Sequence, residues 1–338
     1  MTKTAMVVVD SDRTEKWQEI LSDLITDPKE LMALLDLEPA TSPHGNDMPL
    51  DFPLKVPRTL LSRIKKGDWW DPVLLQVWPA AAETAHTPGY SADPLGENAA
   101  NPLPGLLHKY HGRVLLTVAP HCAVHCRYCF RREFDYAGNT PALKQWQPVL
   151  AYISRETSIN EVILSGGDPL ALSDRHLAWF IDQIGDISHV STVRIHTRLP
   201  VVIPQRATPG LLNSLQHDRL RIVMVIHTNH AQEIDSEVAH GLGMIGANGV
   251  TLMNQSVLLH EVNNNVPVLK ALSESLFQAG VLPYYLHLPD RVAGTAHFHV
   301  SACEGKQLIT QLRAELPGYL VPKLVSEVPG QASKLPAS

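Results

Sequence analysis

Three cysteines, Cys122, Cys126 and Cys129, fall within a few residues of one another in the spacing C-x3-C-x2-C. Thiolates this close on one loop can surround an iron–sulfur cluster or give three ligands to zinc. The two differ in the fourth ligand. A structural zinc site normally draws on two matched knuckles, and here only Cys303 and a choice of His121 or His125 remain. The spacing therefore favours a [4Fe–4S] cluster over zinc, and both over three unrelated buried thiols. A second candidate is Ser165-Gly166-Gly167-Asp168-Pro169, where paired glycines would let a ligand's polar groups approach the backbone closely. Taken alone it reads equally well as a turn. His227 and Gln255 end two apolar runs, and alone would be satisfied hydrogen-bonding positions. Lys334 lies in a Pro/Gly-rich stretch, which by composition is a solvated tail.

These residues need a frame to hold them. From residue 113 onward, short β-branched runs alternate with segments long enough for a helix. Six runs can be counted: Arg113 to Val118, Glu161 to Leu164, Thr192 to His196, Arg221 to His227, Val250 to Met253 and Val281 to His287. Residues 141–156 and 266–280 are amphipathic, with apolar side chains three and four apart. Alternation of this kind predicts an α/β fold with a parallel sheet and right-handed crossovers, and function at the C-terminal ends of the strands. Periodicity leaves a partial barrel and a doubly wound sheet both open. Upstream, Trp17, Ile20, Leu21, Leu24 and Ile25 stand at helical spacing, and Pro28 can start a second helix. Residues 88–104 read as a surface connection or a lid.

Composition narrows the function classes. The 338 residues, 44% of them hydrophobic, allow one large domain or two ordinary ones. With 28 basic against 34 acidic residues the net charge is −6, and no basic stripe favours nucleic acid. Four cysteines so unevenly placed are not a disulfide framework and point to metal in a reducing compartment. The apolar run at residues 6–9 is interrupted by acidic residues, and no apolar stretch reaches membrane-spanning length. The expectation is a soluble cytoplasmic protein without a membrane or nucleic-acid partner.

The C-x3-C-x2-C loop after the first strand resembles the radical S-adenosylmethionine (SAM) superfamily. The resemblance implies a partial (β/α)6 barrel, with Cys122, Cys126 and Cys129 binding three irons of a [4Fe–4S] cluster and SAM occupying the fourth. Within that superfamily the chain is similar to the lysine 2,3-aminomutases. The segment Ser165, Gly166, Gly167 and Asp168 matches the glycine-rich stretch contacting SAM, and His227 and Gln255 match two further SAM contacts. Pro329-Gly330-x3-Lys334-x-Pro336 resembles the loop whose lysine binds pyridoxal 5′-phosphate (PLP) as a Schiff base, although Gln331, Ala332 and Ser333 replace three glycines. The family's phosphate contacts fall on Lys109 and Arg113, with lysine standing where arginine is usual at 109. Arg131 matches the arginine gripping the substrate α-carboxylate, and Arg132 beside it reads as a solvated neighbour. Asp290 and Glu327 match two carboxylates facing the ε-ammonium of lysine, Glu327 being longer than the usual aspartate. Two carboxylates there select a cationic side chain by charge.

The resemblance thus implies three parts: an N-terminal helical and loop region (1–107), a radical SAM barrel (108–300) and a PLP-binding C-terminal segment (301–338). It implies conversion of L-lysine to (R)-β-lysine through a 5′-deoxyadenosyl radical, with an external one-electron donor. A shorter branch of the family makes β-lysine for modification of translation elongation factor P. The chain's stop soon after Lys334, with Cys303 as its one cysteine outside the cluster, points to that branch. Transient contact with the factor or its β-lysine ligase, and a homo-oligomer, are compatible with this reading. The alternatives are an aminomutase for another amino acid and a non-enzymatic metal-binding protein.

Overall fold

In a computed structural model the described residues are 13–44 and 52–336. The apolar run at residues 6–9 lies outside them. Six strands, Arg113–Ala119, Glu161–Gly166, Thr192–Thr197, Arg221–His227, Thr251–Val257 and Leu282–His287, lie parallel and in strict chain order. The order never reverses, so the crossovers all wind one way and the sheet curls as a partial barrel rather than a doubly wound sheet. An antiparallel strand, Leu106–Tyr110, adds to the first barrel strand. Lys323–Ser326 adds in parallel to the sixth, and the short strand Leu335–Pro336 folds back on it. The expected 107/108 division falls inside the strand Leu106–Tyr110, and the 300/301 division falls just before the helix Ala302–Glu315.

Alternation along the strands separates two faces. Val193, Ile195, Ile222, Met224 and Leu252 are buried against the helices. On the lumen side Arg194, His196, His227, Gln255, Tyr285 and His287 are half-buried. The barrel interior is thus polar, as a ligand chamber requires.

Local signals explain most helix starts. Ser173 caps Asp174–Gly185, Asp235 caps Ser236–Ala247, Asn265 caps Val266–Gln278 and Ser301 caps Ala302–Glu315. Two expectations are corrected. Leu24 and Ile25 are not helical: the helix ends at Ser22, and these two residues pair antiparallel with Val56–Pro57. The helix expected from Pro141 begins at Gln147, because the preceding turn is fixed by the Trp146 indole donating to the Pro141 carbonyl (3.1 Å).

The N-terminal region packs across the C-terminal ends of the strands, and its core is continuous with the barrel's, from Trp17 through Val281. A second cluster, including Leu258, Leu286, Leu312 and Leu324, seals the C-terminal helix and strand onto the sixth barrel strand. Among the described residues no helix is long and apolar enough to cross a membrane.

Candidate active site

The loop after the first barrel strand carries Cys122, Cys126 and Cys129 as free thiols. It is tightly cupped by the N-terminal region. His125 N donates to Lys55 O (2.9 Å), Arg127 N to Gln76 O (2.9 Å), and the buried Arg127 and Arg132 both reach Glu83. Arg132, expected to be solvated, is instead buried, ion-paired to Glu83 at 2.9 Å and stacked over Phe52. Burial, with the charges of Cys129, Asp168 and Cys126, pushes the Cys122 thiol well up. Burial and Cys126 push Cys129 up to about 11.

Thiols packed so that Cys122 and Cys129 are both pushed up suit bound metal, which stabilises the thiolate form. Among the described residues no three His, Cys, Asp or Glu side chains converge on one ion. A cubane presents one iron to each thiol and does not need such convergence, whereas tetrahedral zinc does. The donor set, three thiols on one loop, fits the three cysteine ligands of a cluster. Cys303 lies apart, exposed on the helix Ala302–Glu315.

The glycine segment closes onto the same loop. A Cβ on Gly167 would lie 2.2 Å from the His121 carbonyl oxygen, and one on Gly166 would lie 2.9 Å from Ala119 O, with φ at +111°. The close approach these glycines permit in the structure is therefore that of the cysteine loop's backbone. Asp168 accepts hydrogen bonds from Thr197 Oγ1 (2.6 Å), Arg198 N (2.8 Å), Leu199 N and Leu170 N (both 3.0 Å). It ties the glycine segment to the end of the third strand.

A chain of charges crosses the barrel mouth. Arg131 donates to Ser165 Oγ (3.1 Å) and grips Glu97 (2.7 and 2.8 Å). Glu97 pairs with Lys109 (3.1 Å), which pairs with Glu327 (2.9 Å), which in turn takes Lys334 (2.7 Å). Burial works to raise the Glu327 carboxyl, but Lys334 and Lys109 outweigh it and hold it down to about 2. Asp290 goes the other way: burial and the negative charge of Glu327 push it up to about 7. Arg113 begins the first strand with its guanidinium over the Tyr110 ring (4.7 Å).

His227 and Gln255 sit on adjacent strands, directly opposite each other, with their side-chain nitrogens in contact. Burial, then the charges of Arg198, Lys334 and Arg131, lowers His227 to about 3, so it is neutral. His196 and His287 also face the lumen, each with a buried Nε2 that finds no hydrogen-bond partner among the described residues. Such orphaned atoms are what a polar ligand would satisfy.

Glu83, Glu97, Gln76, Arg198 and Glu233 were not read from the sequence. Each is an acidic or polar side chain whose partner stands tens of residues away, so no local spacing signals it. Glu97 lies in the stretch expected to be a surface connection or lid, yet is only 4% exposed.

The fold and this mouth define a parallel α/β barrel enzyme, with thiols, a lysine and paired carboxylates gathered at one entrance. No family model matches the chain. Its sequence is 45% identical to an L-lysine 2,3-aminomutase of Escherichia coli, over 98% of this chain and 97% of that one. It is 46% identical to an L-lysine 2,3-aminomutase of Haemophilus influenzae (95% of each) and 38% to one of Clostridium subterminale (82% and 66%). The chain belongs to the L-lysine 2,3-aminomutase family, which are isomerases. Among solved structures it bears a distant likeness to a radical SAM methyltransferase from Sphaerobacter thermophilus, with 15% identity and a TM-score of 0.46 over 69% of this chain and 73% of that one.

Proposed function

We propose that this protein converts L-lysine to (R)-β-lysine by moving the amino group from C2 to C3. A [4Fe–4S] cluster on Cys122, Cys126 and Cys129, SAM on its open iron and PLP on Lys334 would be its cofactors. The observation that carries the reading is the convergence at His227: burial keeps it neutral, and the charges of Arg198, which donates to Cys126, of Lys334 and of Arg131 all act on it. The residues assigned to cluster, PLP and substrate thus meet in one chamber.

When bound, the cluster and SAM supply a carbon radical for hydrogen removal at C3, and PLP carries the migrating nitrogen. The chain's own residues bind and orient. Arg131, already buried and braced by Glu97, offers a fixed guanidinium for the α-carboxylate. Glu327 and Asp290 face a cation at the distal end. Glu327 is satisfied by Lys109 and Lys334, and substrate ammonium would take over that role. A Schiff-base lysine reacts as the free amine, so the Lys334–Glu327 ion pair has to open. Lys109 and Arg113 would serve the phosphate, while Ser165, Gly166, Gly167, Asp168, His227 and Gln255 line the SAM side. The half-buried lumen and the covering N-terminal region keep water from the reacting carbon.

An aminomutase for glutamate would need a cation where Asp290 and Glu327 stand, so lysine is favoured over that alternative. Membership of an isomerase family sets aside the non-enzymatic reading. High identity to the Escherichia coli and Haemophilus influenzae L-lysine 2,3-aminomutases supports lysine as substrate; the reading adds an external electron donor and β-lysine supply for modification of elongation factor P. The test is anaerobic reconstitution with iron, sulfide and PLP, then incubation with L-lysine, SAM and dithionite. β-Lysine is expected. Its absence while cluster and PLP are both bound would refute the proposal.

A further inference from the structure

Arg198, at the end of the third barrel strand, is buried with its guanidinium turned onto the cysteine loop. Its Nη1 donates to Cys126 Sγ (2.7 Å) and to Tyr128 Oη (2.8 Å). Nη2 donates to Gln76 Oε1 (2.7 Å) and Glu233 Oε2 (2.8 Å). The partners are themselves fixed. Glu233 Oε1 accepts from Gln76 Nε2 (3.2 Å) and from the backbone of Asn229 and His230 (2.8 and 3.0 Å). Asn229 Nδ2 donates to Gln76 Oε1 (3.0 Å). The Arg198 backbone nitrogen is held by Asp168, from the glycine segment.

Among the described residues the Arg198 guanidinium donates to Cys126 and to neither of the other two thiols. Glu233 is 0% exposed, and the Arg198 side chain 5%. A buried charge pair of this kind costs desolvation and is weak evidence for stability; its geometry is directed at sulfur. Hydrogen bonds and positive charge at a thiolate ligand favour the more negative, reduced state of an iron–sulfur cluster.

We propose that Arg198, positioned by Glu233, Gln76 and Asp168, tunes the reduction potential of the cluster through Cys126. It is a positioning residue, acting on a ligand rather than on substrate. The inference rests on the cluster assignment in the proposed function.

The experiment is a potentiometric titration of the cluster in the reconstituted full-length protein without SAM. It compares wild type with Arg198→Lys, Arg198→Gln and Gln76→Leu, monitors the reduced cluster by electron paramagnetic resonance, and counts iron per chain. Arg198→Gln is expected to move the midpoint potential clearly more negative at unchanged iron content. Arg198→Lys should lie between it and wild type, and Gln76→Leu, which leaves the charge but loosens its aim, should shift less than Arg198→Gln. Unchanged potentials in variants carrying a full iron complement would overturn the proposal. So would loss of the cluster in all three, which would make the network merely structural. Wild type that takes up no four-iron cluster would instead overturn the functional reading beneath it.

Discussion

Lys109 and Glu327 stand 218 positions apart in sequence and 2.9 Å apart in space, and their ion pair bridges the gap that leaves the barrel open. Lys109 comes from the antiparallel strand beside the first barrel strand, and Glu327 follows the strand added beside the sixth. The sheet's two ends are therefore joined by charge where backbone pairing stops. Glu327 also holds Lys334, so one carboxylate links barrel closure to the residue assigned to PLP.

Removing that carboxylate leaves two ammonium groups facing each other in a largely buried setting. Glu327→Ala is expected to lower stability by on the order of 3 kcal/mol, read by chemical denaturation. It should also raise KM for lysine more than it lowers kcat. An unchanged KM would show that the distal ammonium is held elsewhere.

Asp290, with its raised carboxyl, should make lysine binding pH-dependent. Its carboxyl is raised in the folded protein to about 7, against an ordinary value near 4. Between those values the folded state holds the proton and the unfolded state does not, so this group's contribution to stability falls as pH rises through the window. Asp290→Asn should flatten that slope. A lysine ammonium favours the ionised form, so binding should release a proton near pH 6.5, detectable by calorimetry in buffers of different ionisation enthalpy. Equal apparent enthalpies would count against it.

The two glycine positions should behave differently. Gly167→Ala drives a methyl into the His121 carbonyl, so it should distort the cysteine loop and lower iron uptake. Gly330 has φ +78° but open space around its Cβ, so Gly330→Ala should cost only about 1 kcal/mol. Iron per chain after reconstitution and thermal unfolding separate the two.

Glu83 is the anchor of the cysteine loop. It is bound by both Arg127 and Arg132, with the carboxylate and Arg127 fully buried. Glu83→Gln leaves two buried guanidinium groups short of charge and should destabilise the protein by roughly 3–5 kcal/mol. Full iron uptake with unaltered unfolding would contradict this role.

The frame was legible because strands of a parallel sheet are apolar on their buried face, and the six runs name themselves. The fifth strand shows the limit. It was expected to stop at Met253 but extends to Val257, because Asn254, Gln255 and Ser256 are polar yet remain in the ladder. The cysteines, the glycines and Lys334 carry local signatures. Arg132 and Glu97 do not, since each owes its burial to a partner far along the chain. Even for Gly166 and Gly167 the sequence pointed to a close approach, and only the structure shows that the approaching group is the backbone at Ala119 and His121.

The proposed reaction moves one nitrogen from C2 to C3. Reconstituted protein given L-lysine labelled with 15N at the α position, together with SAM, PLP and dithionite, should yield β-lysine with the label bonded to C3, seen by carbon–nitrogen coupling in the NMR spectrum. Label remaining on C2, or lost to solvent as ammonia, with cluster and PLP both loaded, would contradict the account.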